Sequence, residues 1–155
     1  MLTKALQRYT TLAKMVQSSA YSTSTSALRQ KYLVDTEEVA SLIKQSPTNV
    51  RFVNATWFMP NVDRDAKKEH EQARLTKTTQ HFDIDAISEP GSKLPHTLPS
   101  AEIFTEHMKR LRIGKTDQII CYDVQGMFSV ARAAWMFRFF GAENVRIMSG
   151  GLTKW

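Results

Sequence analysis

Short apolar segments of strand character alternate along this sequence with segments of helical character, and this alternation constrains the fold more than any other feature. Residues 51–56, 118–122 and 144–148 are rich in β-branched, aromatic and other apolar residues. Helix-favouring segments of about ten residues precede or separate them. Strands connected by helices in this way predict βαβ units and a mainly parallel sheet with helices on both faces. We therefore expect an α/β domain.

Capping residues at the start, and proline or glycine at the end, indicate where the helices lie. We expect the second helix to be exposed, because it has no apolar stripe. A further short strand is expected at residues 81–84, and a final helix should begin after Gly151 and be cut off at Trp155. The four earlier helices are bounded by Asp35 or Thr36 and Pro47, by residues 64 and 74, by Ser100 and Gly114, and by Ser129 and Gly141.

The positive charge of the chain is concentrated at its N-terminus. The formal net charge is +6, and residues 1–34 contain five Lys or Arg and no Asp or Glu. The remaining residues therefore carry 16 basic and 15 acidic side chains, a net charge of only +1. A folded domain this close to neutral does not predict a nucleic-acid partner. No apolar run reaches the roughly 18 residues needed to cross a bilayer, so no transmembrane segment is expected.

The N-terminal segment has the composition of an organellar targeting sequence. It is rich in Ser and Thr, and Leu2, Leu6, Tyr9, Ala13 and Val16 follow helical spacing. A secretory signal would need a continuous apolar region, which is missing. We interpret residues 1–31 as a mitochondrial transit peptide and linker, the alternative being a disordered basic tail. Residues 32–155 then form the domain, and the expected location is mitochondrial.

The sequence offers few residues for metal binding or redox chemistry. Cys121 is its single cysteine, which excludes an intramolecular disulfide and a cysteine-based zinc site. The histidines show no HxxxH or HxH pairing, and we expect them to be surface or locally hydrogen-bonded residues. Neither a metal nor a cofactor is predicted. The four histidines are His70, His81, His96 and His107.

Several segments, in order, resemble a known family. They read RDAKKEHEQAR, HFDIDAIS, LPHTLPS, CYDVQGMFSVARAAWMFRFFG and MSGGLTKW. Together they are similar to the first domain of the two-domain rhodaneses, the thiosulfate and 3-mercaptopyruvate sulfurtransferases, over about residues 33–155. The resemblance implies the rhodanese fold and agrees with a mitochondrial setting. It also implies that the family's active cysteine belongs to a second domain, which is absent here.

The loop after the strand at 118–122 is where active rhodanese domains carry a cysteine. The thiolate of that cysteine takes up a sulfane sulfur as a persulfide, and a ring of backbone N–H groups at a helix N-terminus stabilises the anion. In this sequence an aspartate stands at that position. A carboxylate can accept those hydrogen bonds but cannot form a persulfide, so no catalytic residue is predicted. The loop consists of Asp123, Val124, Gln125, Gly126, Met127, Phe128 and Ser129.

Other functional interpretations of single residues are weaker than structural ones. Cys121 is expected in the core, because strand alternation places it with Ile119 inside the sheet, rather than as a displaced nucleophile. Asp123 is expected to bind loop amides rather than to act as a general base. We expect Arg132 to face an acidic partner, Asp123 or Asp83, and Arg138 to remain solvated.

Two hypotheses about function follow. In the first, the chain is a non-catalytic rhodanese-like domain that serves as a structural or accessory subunit of a mitochondrial assembly. In the second, it is the N-terminal half of an active sulfurtransferase whose catalytic cysteine domain is missing from this chain. Both require a protein partner or a second rhodanese domain. The altered turn at residues 74–78, where the family reads His-Ile-Pro-Gly-Ala, and the shortened last helix favour the first.

Overall fold

A computed structural model describes residues 32–155. The predicted transit peptide and linker, residues 1–31, lie outside the described residues. Strands and helices alternate through the described part of the chain, which confirms the α/β class. The strands are β1 (Leu33–Val34), β2 (Val50–Asn54), β3 (Gln80–His81), β4 (Gln118–Tyr122) and β5 (Val145–Met148). The helices are α1 (Thr36–Gln45), α2 (Ala66–Gln72), α3 (Ala101–Leu111), α4 (Val130–Phe139) and α5 (Gly151–Lys154).

The five strands form one sheet in the order β1-β5-β4-β2-β3, and every pairing is parallel. The predicted parallel sheet is therefore confirmed, and the strand predicted at 118–122 has the observed bounds. The edge strand β1 was not predicted, because two residues are too short for a periodic pattern. The strand predicted at 81–84 is instead Gln80–His81. It ends early because the Asp83 carboxylate accepts the N–H groups of Asp85 and Ala86, which bends the chain into a turn.

Side chains of β4 alternate between two apolar layers, one on each face of the sheet. Ile119 and Cys121 point into the larger layer, which α3 and α4 cover. Ile120 and Tyr122 point into the smaller layer, with residues of α1 and α5. This alternation confirms the predicted orientation of the strand and the presence of helices on both faces.

The helix boundaries differ slightly from the predicted ones. Asp35 and Ser100 cap α1 and α3 as expected, since their side chains accept the N–H groups of residues 38 and 103. At the other ends, Ser46 and Arg112 adopt the left-handed conformation, with φ of 46° and 56°. These residues close α1 and α3 just before Pro47 and Gly114, the predicted ends. Within residues 32–155, no helix has the length and apolar character needed to cross a membrane.

Candidate functional site

The loop that follows β4 lies at the carboxyl edge of the sheet, beside the residues that follow β2. Open α/β sheets usually place their binding sites at this edge. Three hydrogen bonds join the two segments. Val124 N donates to Thr56 Oγ1 at 3.0 Å, Trp57 N donates to Ser129 Oγ at 3.2 Å, and Ser129 Oγ donates to Ala55 O at 2.6 Å.

Asp123 lies at the centre of this loop and is fully buried. Its Oδ1 accepts a hydrogen bond from Gly126 N at 2.6 Å. Its Oδ2 accepts hydrogen bonds from the backbone N–H groups of Phe128, Ser129 and Val130 at 2.7, 2.8 and 3.0 Å. The carboxylate thus neutralises the N-terminus of α4, where unpaired N–H groups and the helix dipole favour an anion. The prediction that Asp123 binds loop amides is confirmed.

Ser129 does not cap α4, contrary to the prediction. Its backbone is already in the helical region, with φ −98° and ψ −22°, and its side chain makes no cap hydrogen bond. The hydroxyl instead donates to Ala55 O on the neighbouring segment. Asp123 caps α4 instead, because its carboxylate accepts hydrogen bonds from the N–H groups of Ser129 and Val130 at the start of the helix.

Gly126 in the loop and Gly151 at the start of α5 lie against each other. Gly151 has φ +56°, and a Cβ there would lie 2.2 Å from Asp123 O and 2.9 Å from Gly126 N. Leu152 N donates to Asp123 O at 2.8 Å. Only a residue without a side chain fits this close approach of two backbones. The loop and α5 therefore form one tightly packed unit.

Cys121 lies two residues before Asp123 and is fully buried in the larger apolar layer. Burial raises the pKa of its thiol well above the usual value. A thiol held in the neutral form is a poor nucleophile. The predicted core position of Cys121 is confirmed.

An aromatic pair lies over the loop. The rings of Trp57 and Phe128 stack with centroids 6.2 Å apart, and the ring of His96 meets the indole edge-on at 4.9 Å. Trp57 Nε1 donates to Asp85 Oδ2 at 2.9 Å, which fixes the indole. Phe128 and its neighbour Met127 each remain 52% exposed. Trp57, Met127 and Phe128 are called the loop-edge patch below.

The two arginines of α4 do not lie as predicted. Arg132 donates through Nη2 to the backbone oxygen of His96 rather than to Asp123 or Asp83. Arg138 is half-buried, not solvated, and donates to the backbone oxygen of Val145. Both side chains reach carbonyl groups that the fold brings close, and sequence spacing gave no information about those groups.

His70 is a site residue that sequence reasoning missed. It lies on α2 and is only 6% exposed, so the prediction of an exposed helix is wrong at this position, and of the two expectations for the histidines, surface or hydrogen-bonded, His70 meets the second. Asn54 Oδ1 accepts hydrogen bonds from Thr56 N and Oγ1 at 3.0 and 2.5 Å, which leaves Asn54 Nδ2 to donate to His70 Nδ1 at 3.3 Å. This chain of polar groups supports Thr56, which in turn binds Val124 in the loop.

The environment of His70 favours the neutral imidazole. Burial, then the neighbouring His81 and Arg74, lower the pKa of His70 to about 4. His81 stacks on it with ring centroids 5.4 Å apart. In the described residues, no group of three or more His, Cys, Asp or Glu side chains is arranged to hold a metal ion.

The parallel sheet, the helices on both faces and the loop wrapped around a carboxylate at a helix N-terminus define an open α/β domain with its candidate site at the carboxyl edge of the sheet. Residues 27–155 match the rhodanese-like domain family. The chain therefore belongs to the rhodanese family.

Several of its relatives are sulfurtransferases much longer than the region matched here. The mitochondrial thiosulfate/3-mercaptopyruvate sulfurtransferase 1 of Arabidopsis thaliana is 38% identical over 69% of this chain and 28% of its own. The 3-mercaptopyruvate sulfurtransferase SseA of Escherichia coli superposes with a TM-score of 0.74 at 33% identity, over 81% of this chain and 47% of its own. A sub-stoichiometric sulfur transferase subunit of yeast mitochondrial complex I superposes with a TM-score of 0.69 at 34% identity, over 76% and 38%. The chain thus spans less than half of each.

Proposed function

We propose that this chain is a non-catalytic rhodanese-like domain that acts as a structural or accessory subunit, bound to a protein partner. The observation that carries the proposal is the buried carboxylate of Asp123, which fills the anion site of the loop with four backbone hydrogen bonds. By resemblance to the family, this is the position of the sulfur-carrying cysteine of active domains.

The chemistry of sulfur transfer excludes both Asp123 and Cys121 as the residue that carries the sulfur. The carrier must be a thiolate that first attacks the sulfur of a donor and is then relieved of that sulfur by an acceptor. Asp123 offers oxygen, which forms no persulfide. Cys121 offers sulfur, but it lies behind the loop with no solvent exposure and with a raised pKa.

Exposed aromatic side chains support a docking role. Besides the loop-edge patch, Trp135 and Phe139 lie one helical turn apart on α4 and are 46% and 57% exposed. Uncovered apolar surface of this kind usually marks a protein interface. The yeast relative that is a subunit of complex I supports membership of a mitochondrial assembly. Residues 1–31 support the same location through their composition.

The second candidate is the N-terminal half of an active sulfurtransferase. It is favoured by the relatives, which are more than twice as long as the matched region. In that case, the loop-edge patch would form one wall of an active site completed by a second domain. A transcript that encodes a downstream cysteine-containing loop would favour this candidate over the accessory role.

The test of the absence of catalysis uses the purified chain with thiosulfate or 3-mercaptopyruvate as donor. Release of thiocyanate or pyruvate is measured, together with persulfide on Cys121 by mass spectrometry. We expect neither turnover nor persulfide, and Cys121→Ser should change stability but not rate. Turnover that disappears in Cys121→Ser would contradict the proposal.

The location is tested separately. Residues 1–31 fused to a fluorescent reporter should direct the reporter to mitochondria, since the segment combines helical apolar spacing with basic residues and no acids. A variant with Arg8 and Lys14 replaced by Glu is the matched control and should remain cytosolic. Cytosolic retention of the unaltered fusion would argue against a mitochondrial role.

A further inference from the structure

A cavity of about 290 Å³ opens between α3, the end of α4 and the turn before β4. Its volume is close to the lower end of the range for small-molecule sites in proteins. Ile119, near the start of β4, contributes to its floor, so the cavity lies toward the amino ends of the strands. The loop at residues 123–129 follows the other end of β4. The cavity is therefore separate from the candidate site described above.

The interior of the cavity is apolar, and three of its lining residues are aromatic. Phe104 and Phe140 stack with ring centroids 4.2 Å apart, and Phe137 meets Phe104 edge-on at 5.9 Å. Such a surface favours the apolar part of a ligand over water. The remaining apolar lining residues are Ala101, Met108, Ile113, Ile119 and Ala142.

The rim of the cavity is cationic. Lys109 and Lys115 line it, and no acidic residue does. The nearby carboxylates are already engaged. Glu106 forms an ion pair with Lys109 at 2.8 Å. Asp117 Oδ2 accepts a hydrogen bond from Gly114 N at 2.8 Å and forms an ion pair with Arg51 at 3.2 Å. Within residues 32–155, the ammonium of Lys115 forms no ion pair with a carboxylate, which leaves one positive charge at the entrance.

We propose that this cavity binds a small amphipathic carboxylate of the medium-chain fatty acid type. The apolar chain lies among Phe104, Phe137 and Phe140, and the carboxylate lies at the entrance beside Lys115. Thr105, an exposed residue that also lines the cavity, carries a further hydrogen-bond donor. The combination of a half-open apolar cavity with a cation that pairs with no carboxylate of residues 32–155 favours a ligand with one apolar end and one negative end.

Octanoate titrated into the full chain, followed by NMR of side-chain methyl groups, tests this proposal. We expect saturable shifts of the methyl signals that line the cavity, and weaker binding of octanol and octylamine, which have the same chain without the negative charge. The signals to be followed are those of Met108, Ile113, Ile119 and Ala142.

Three variants separate the charge from the cavity. Lys115→Met should weaken octanoate binding roughly two- to fivefold, as expected for a solvent-exposed ion pair. Lys44→Met, on α1 across the sheet, is the matched control and should leave it unchanged. Thr105→Trp, at an exposed position of the rim, should block the entrance and abolish binding, and Ala101→Trp one turn earlier provides a second block if the first variant fails to fold.

Several results would overturn the proposal. They are the absence of saturable shifts, binding of octylamine or octanol as tight as that of octanoate, shifts confined to signals outside the cavity, and undiminished affinity in a folded blocking variant. Loss of binding in the blocking variant together with weaker binding in Lys115→Met would support it.

Discussion

The indole of Trp57 stacks on the ring of Phe128, although the two residues are 71 positions apart in the sequence and follow different strands. The pair lies over the loop that Asp123 organises, because Trp57 N also donates to Ser129 Oγ. Phe128 nevertheless keeps half of its surface exposed. The position of the ring is therefore fixed by the fold, while its outer face is left for a partner.

Phe128→Ser should reduce partner association without unfolding the domain. The Ser backbone still offers its N–H to Asp123, and a half-exposed side chain contributes little to stability, so we expect a change in unfolding free energy within about 0.5–1 kcal/mol. Binding of a hydrophobic dye should decrease, since the apolar surface becomes smaller. Leu94→Ser, at a more exposed position, is the control. Unchanged dye binding in Phe128→Ser would show that the loop-edge patch is not the apolar surface to which the dye binds.

Asp123→Ala should destabilise the domain by about 2–4 kcal/mol, because four backbone N–H groups lose a charged acceptor in a buried position. Asp123→Asn keeps the shape but replaces one oxygen by a donor, so an intermediate loss is expected. Urea unfolding at pH 7 measures both. Equal stability of the three proteins would mean that the loop does not depend on the carboxylate.

Gly151→Ala should be far more costly than Gly91→Ala, although both glycines have positive φ. At Gly91 a new Cβ meets nothing within 4 Å, and only the backbone conformation is penalised, by about 1 kcal/mol. At Gly151 the Cβ collides with Asp123 O, which adds overpacking for a total of about 3–5 kcal/mol. Thermal unfolding of the two variants compares them. A similar loss in both would contradict the close packing of loop and α5.

The buried His70 predicts a loss of stability in acid. Its pKa is about 4 in the folded protein and near 6.5 when unfolded, so the unfolded chain binds a proton that the folded chain excludes. The stability associated with the neutral His70 is therefore fully present above pH 6.5. The free energy of unfolding decreases as the pH falls toward 4, by roughly 2 kcal/mol between pH 7 and 4.5. Urea unfolding at these two pH values should show it.

His70→Gln removes the titrating group and should reduce the difference between the two pH values by about that amount. His107→Gln, on α3, is the control for removing a histidine elsewhere. If His70→Gln kept the whole difference, carboxylates rather than His70 would be responsible for acid sensitivity.

The fold was predictable because its signals are local. The apolar segment 118–122 has the length and alternation of a buried strand, and Ser100 and Asp35 are ordinary capping residues. The short edge strands β1 and β3 were missed or misplaced because their two residues carry no period, and they exist through pairing with neighbours distant in sequence.

The site was predictable only in part. The burial of Cys121 and the hydrogen bonding of Asp123 follow from their places at the end of a strand and the start of a helix. The contacts of His70, Arg132 and Arg138 do not, because their partners are a distant side chain and two backbone carbonyls. Polar contacts between residues distant in sequence cannot be predicted from the spacing of those residues.

The pairing of β1 with β5 also sets the order in which this domain can assemble. Leu33 is in register with Ile147, so the edge of the sheet joins residues more than a hundred positions apart. On the ribosome, β1 emerges early and must wait until β5 has left the exit tunnel before its hydrogen bonds can form. Closing so long a loop is entropically unfavourable and slows folding. Since β5 is the strand with which β1 pairs in the described residues, this edge of the sheet is expected to form late in folding.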